Sequence, residues 1–128
     1  MEQLPQRDVR ALLQVIQDGH GVADRAAFAR YVIDRLPTLV AVDSISYNEL
    51  RPTGELLSMI RTPPQNVIEF DRLKHLLRQH PLVAHFCGRR DSHWLRTSDV
   101  ITRTRWHRLP IYDEYYRPAG IEHQLAMI

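Results

Sequence analysis

Three tyrosines fall within five residues of RLPIYDEYYRPAGIEHQL, residues 108–125: Tyr112, Tyr115 and Tyr116. Tyrosine joins a large apolar ring to a hydroxyl. Such a cluster either fills a core or walls a pocket in which a few placed hydroxyls orient a small molecule. Composition favours the core reading. Three histidines, His75, His80 and His85, recur every five residues. On one helix that spacing turns successive side chains by about 140°, so they do not converge on a metal. Pro81 would interrupt such a helix in any case. They read as scattered surface or core histidines, and no metal site is expected. Cys87 stands beside Gly88, Arg89 and Arg90. Nearby positive charge favours a thiolate, yet an inert thiol at a helix end is the plainer reading. RTRWHR, 103–108, interleaves arginine with an aromatic ring, as binders of single-stranded nucleic acid do. The net charge is only +2, which makes a small electrostatic footprint. A helix with Trp106 turned inward and its arginines outward is the preferred reading.

Enzyme signatures are absent. There is no GxGxxG and no GxxxxGK[ST], and five unclustered glycines cannot cradle a phosphate. GxSxG, HExxH and CxxC are missing too. A catalytic reading would need a histidine and an acid paired in a cleft, for instance His107 with Asp99 or Asp113. The expectation is a non-enzymatic protein without a cofactor.

The elements that must position these residues follow from periodicity. At 128 residues the chain is expected to form a single domain over 1–128. Asp8 can cap a helix in which Val9, Leu12, Leu13 and Ile16 share a face, and Gly19 and Gly21 end it. Asp24 caps a second helix, which Pro37 stops. DSISYNEL, 43–50, and ELLSMIR, 55–61, read as a hairpin about the turn at Pro52 to Gly54, with Ile45, Tyr47 and Glu49 on one face. Pro63 and Pro64 break the pattern. Residues 67–79 return to helical spacing, and PLVAHF, 81–86, makes one more short helical piece with Pro81 at its favoured first position. GRRDSH, 88–93, is a polar loop. WLRTSDVI, 94–101, reads as a short extended piece running into a cap at Ser98 or Asp99. A helix is predicted from about Thr102 to Tyr116, kinked at Pro110, and Gly120 suits a left-handed stop. IEHQLAMI, 121–128, alternates as a strand with Ile121, His123, Leu125 and Met127 on one face. The order α-α-β-β-α-α-α-β defines an α+β domain with helices packed on an antiparallel sheet. A lone cysteine suits a reducing compartment, no apolar run reaches a membrane span, and the N-terminus lacks a signal-peptide core. A cytoplasmic protein without membrane contact is expected.

LPTLVAVDSISYNEL (36–50), HPLVAHF (80–86), TSDVI (97–101) and above all WHRLPIYDEYYRPAGIEHQLA (106–126) resemble the N-terminal, GAF-like sensor domain of bacterial LuxR-type transcriptional regulators. The resemblance runs over nearly the whole chain in the same order. It implies a GAF/PAS-like antiparallel sheet with helices packed on it. It also implies a small-molecule pocket between sheet and helices, with Tyr47, Trp94, Trp106, Tyr112, Tyr116 and His123 as the ligand-binding candidates. A regulator of this type continues beyond residue 128 into further strands and a helix-turn-helix. The sheet is therefore expected to be incomplete, and no direct DNA binding is expected of this segment. Unpaired strand edges invite pairing with another chain, so either a homodimer through the sheet edge or a repacked smaller sheet is expected. The leading expectation is a small-molecule sensor module. The alternative is an interaction or dimerisation module whose aromatic residues are plain core.

Overall fold

A computed structural model describes residues 3–64, 67–87, 89 and 93–127. Its contacts divide the chain into two compact units. One comprises Met1–Asn48 with Met59–Pro64, the other Glu49–Ser58 with Gln65–Ile128.

The first unit opens with α1, Gln6–His20. Pro5 precedes it, and Asp8 lies inside the first turn, where a carboxylate favours the helix dipole, rather than at the cap. Its cap residue is Gly21 at the C-terminal end. α2, Arg25–Arg35, is capped as expected: Asp24 Oδ1 accepts from the Ala27 N–H at 2.8 Å. A tight 3-10 turn at Leu36–Thr38 contains Pro37 and ends the helix. The two helices meet through Tyr31, whose hydroxyl donates to the Val15 carbonyl at 2.6 Å. Gly19 permits the approach, since a Cβ there would lie 3.2 Å from the Tyr31 ring. Ala29 and Ile33 are the buried residues of α2, whereas α1 buries none.

β1, Ile45–Leu50, and β2, Leu56–Thr62, form the expected hairpin. Its turn follows from three residues. Pro52 presets the first bend, the Gly54 N–H donates to the Arg51 carbonyl at 2.8 Å, and Gly54 takes φ +88°. This is a three-residue hairpin loop with glycine in the left-handed position. The tip belongs to the second unit. Gly54 is buried there, with room for a Cβ denied by Cys87 Sγ at 3.0 Å and Val83 Cγ1 at 3.2 Å. Leu56 is fully buried, and Glu55 pairs with Lys74 at 3.0 Å.

In that second unit α3, Phe70–Leu77, buries Leu73, Leu76 and Leu77, one face of a helix. α4, Pro81–Phe86, starts with Pro81 at the first turn and buries Leu82 and Phe86. Gly88, Arg90, Asp91 and Ser92 of the expected GRRDSH loop lie outside the described residues. β3, Leu95–Arg96, leads into a single helical turn, α5, Thr97–Val100. The cap there is Arg96, with Asp99 reaching back to its backbone N–H at 2.8 Å. A second single turn, α6, Arg103–Trp106, is capped by Thr102. The long helix expected over 102–116 is broken instead. Pro110 lacks the N–H that would continue the ladder. After it Tyr112–Tyr116 form a wider, π-type turn in which the Arg117 N–H reaches the Tyr112 carbonyl at 2.8 Å. Gly120 ends it with φ +71°, as predicted.

The protein is mixed α+β, but its strands form two separate pairs instead of one sheet. The strand expected over 121–128 shortens to β4, Leu125–Ala126, which pairs antiparallel with β3, Leu95 opposite Ala126. Ile128 lies outside the described residues. Beyond Ile121, which is half-buried, the inward face of this segment is the reverse of that expected. His123, Leu125 and Met127 point out, while Glu122, Gln124 and Ala126 are partly buried. The reason lies in the polar partners described below.

The two positive-φ glycines give an ordered stability test. Gly54→Ala adds a clash to backbone strain and is expected to cost about 1–3 kcal/mol. Gly120→Ala, with nothing within 4 Å of its Cβ, incurs the backbone term alone, about 1 kcal/mol. Urea unfolding of both variants checks the order; equal costs would contradict the packing at Gly54.

Candidate functional site

Trp106, Tyr112 and Tyr116 come together with Tyr115 and His80 in the second unit, all at most 6% exposed. Trp106 meets Tyr116 at 5.0 Å, Tyr112 at 5.7 Å and His80 at 5.2 Å between ring centroids, each edge to face. Tyr115 meets Tyr116 at 5.0 Å. These are the separations of packed aromatic pairs. Three other pocket candidates lie elsewhere. Trp94 is 54% exposed, His123 is exposed, and Tyr47 is half-buried on β1 in the first unit.

His80 is the buried polar centre of the cluster, at 1% exposure. Its Nδ1 accepts the Leu82 N–H at 3.1 Å and so caps α4. That acceptor role places the ring proton on Nε2, which lies 2.8 Å from the Tyr116 hydroxyl and 3.1 Å from Gln124 Oε1. Burial pushes its pKa down from 6.5 to about 4, against an opposing pull from the Gln124 hydrogen bond. A proton added at Nδ1 would also face the Leu82 N–H, donor against donor. The other two members of the five-residue series separate as expected: His75 is exposed and His85 half-buried.

A second polar group gathers around Glu122. The Tyr112 hydroxyl donates to Oε2 at 2.8 Å, His107 Nε2 donates to Oε1 at 2.8 Å, and Arg103 Nε lies 3.3 Å from Oε1. The Tyr112 and His107 hydrogen bonds hold the Glu122 carboxyl below its usual range, and the same bond raises the Tyr112 phenol. His107 stacks on Tyr112 at 4.2 Å, and Arg117 covers the Tyr112 ring at 5.2 Å. The acid paired with His107 is therefore Glu122. Asp99 is held by Arg96 at 2.8 Å and Asp113 by Arg117 at 2.8 Å. With both oxygens engaged, Glu122 orients His107 and Tyr112.

Glu122 and Gln124 were not legible as site residues. They sit two apart on a segment whose alternate positions look apolar, and only the buried hydroxyl and imidazoles opposite them reverse the face. RTRWHR, by contrast, orients as read, with Trp106 buried and Arg103, Arg105 and Arg108 exposed. A shallow cleft of about 370 Å³ lies beside it, lined by Val100, Ile101, Arg105, Arg108 and Leu109. Cys87 is half-buried against the Gly54 turn. Among the described residues no three metal-ligating side chains gather, and no helix is long and apolar enough to cross a membrane. No protein-family model, curated protein or solved structure matches the chain.

The lowered pKa of His80 sets a pH window. The unfolded chain takes up this proton near 6.5 and the folded chain only near 4, so stability present above pH 6.5 is lost as pH falls towards 4. The full gap corresponds to about 3 kcal/mol. Glu122, Glu55 and Asp99, all with lowered pKa, lose their contribution only at and below the ordinary carboxylate range. Urea unfolding between pH 7 and 5 should show falling stability in the wild type and a flatter profile in His80→Gln. The same slope in both would remove His80 as the cause.

Proposed function

We propose that the chain acts by association: it is an interaction module of a regulator, GAF-like in ancestry, working in a reducing cytoplasm. The observation that carries this reading is α1. It runs for fifteen residues without burying one of them. Val9, Leu12, Leu13 and Ile16 are between 38% and 58% exposed and share one side. An amphipathic helix with an uncovered apolar stripe is a surface for another helix.

The occupant proposed is α1 of a second copy. The stripe is symmetric about the point between Leu12 and Leu13: Val9 mirrors Ile16, and Leu12 mirrors Leu13. A two-fold axis through that point sets one helix antiparallel on the other, with each branched residue opposite its counterpart. This is the self-complementarity a two-fold dimer requires. The helix is preferred to a sheet edge for the contact because association there removes exposed apolar side chains from water. The stripe is smaller than the roughly 800 Å² per partner of a stable interface, so the dimer is expected to be reversible. The packed rings of Trp106, Tyr112 and Tyr116 favour this reading over a guest molecule among them.

Sedimentation velocity from about 5 to 500 μM should show wild-type protein passing from monomer to dimer, at concentrations set by the modest buried area. Leu13→Glu, which places a charge on the stripe at an exposed position, should remain monomeric throughout with its fold unchanged by circular dichroism. A wild type that stays monomeric, or a variant that dimerises equally, would refute the proposal.

A further inference from the structure

The cleft between α5 and α6 joins three half-buried apolar side chains, Val100, Ile101 and Leu109, to two exposed arginines, Arg105 and Arg108. The local chain explains why the arginines are there. Trp106 is anchored in the core, and Thr102 Oγ1 accepts the Arg105 N–H at 3.3 Å. These two constraints fix the rotation of the turn and leave the residues on either side of the Trp106–His107 pair pointing outward. The arginine side chains differ from most of their neighbours. Arg96, Arg103 and Arg117 each pair with a carboxylate. Arg105 and Arg108 have no hydrogen bond, ion pair or ring contact from their side chains among the described residues. Two unneutralised guanidinium groups at the rim of one apolar cleft carry a charge that a ligand can complement.

We propose that this cleft binds a small amphipathic organic anion, an apolar body bearing a carboxylate or phosphate. The body packs on Val100, Ile101 and Leu109, and the anionic head accepts hydrogen bonds from Arg105 and Arg108. The cleft volume of about 370 Å³ falls at the low end of small-molecule sites, which suits a single substituted ring. Neither arginine belongs to the Glu122 group or to the α1 stripe, so this site is independent of the association proposed above.

The test is a two-dimensional NMR titration of the full chain with 4-butylbenzoate, with 4-butylphenyl phosphate, and with the neutral 4-butylbenzyl alcohol. Both anions should give saturable shifts at the Val100, Ile101 and Leu109 amides, and the tighter of the two identifies the preferred head group. The alcohol should bind at least tenfold more weakly. Arg105→Gln combined with Arg108→Gln should weaken anion binding at least tenfold while leaving urea stability unchanged, since both side chains are exposed. Leu13→Glu should leave anion binding unchanged. Equal binding of alcohol and benzoate, unaltered binding by the folded double variant, or shifts that never saturate would each overturn the proposal.

Discussion

His80 lies among aromatic and aliphatic side chains, where an unsatisfied ring nitrogen would cost about 1–3 kcal/mol. Both nitrogens are engaged, one by the α4 backbone and one by Tyr116 and Gln124. The second unit is arranged around that requirement. Tyr116 must present its hydroxyl inward, and the wide turn after Pro110 carries it there. Gln124 must reach the same nitrogen, so the segment after Gly120 lies along the cluster. It pairs with β3 at Leu125–Ala126, and the Gln124 carbonyl also accepts the Thr97 N–H at 3.1 Å.

Trp106 shows the opposite balance. Its indole N–H is buried without a hydrogen-bond partner, as is the Thr97 hydroxyl. The ring contacts with His80, Tyr112 and Tyr116 hold it regardless, each such pair contributing about 0.5–1.5 kcal/mol beyond its buried area. Packing therefore sets the rotation of α6, and the charge on its outer side follows from it. Arg103 turns to Glu122, whereas Arg105 and Arg108 face the cleft. The same anchor that closes the core leaves the two arginines beside the apolar side chains of the cleft.

Local chemistry was legible wherever a single residue type dictates the backbone. Asp24 capping, Pro81 at a helix start, the Pro52–Gly54 turn and the Gly120 stop all follow from fixed φ values or from one side-chain oxygen. The inward turn of Trp106 was legible from its neighbours, all too polar to bury. The 121–128 segment was misread because period-two alternation ranks faces by apolarity alone. Its polar face turned in towards Tyr112, His107, His80 and Tyr116, partners distant in sequence. The single sheet was not legible either: the strands form two separate pairs, β1 with β2 and β3 with β4. Asp99 and Asp113 were the acids weighed for His107, and Glu122, fifteen residues away, was hidden by the same alternation.

The pocket expected among the tyrosines and the surfaces proposed in its place are related by packing. Trp106 and Tyr115 both meet Tyr116 edge to face at 5.0 Å, and parting Tyr116 from them would strain its hydrogen bond to His80. A guest that parted these rings would have to replace their contacts and the Tyr116 bond to His80. The α1 stripe and the α5–α6 cleft require no such exchange, because their apolar side chains are already in contact with water. Recognition at those surfaces gains apolar burial without surrendering an internal contact, which is why they, and not the aromatic cluster, carry the functional reading.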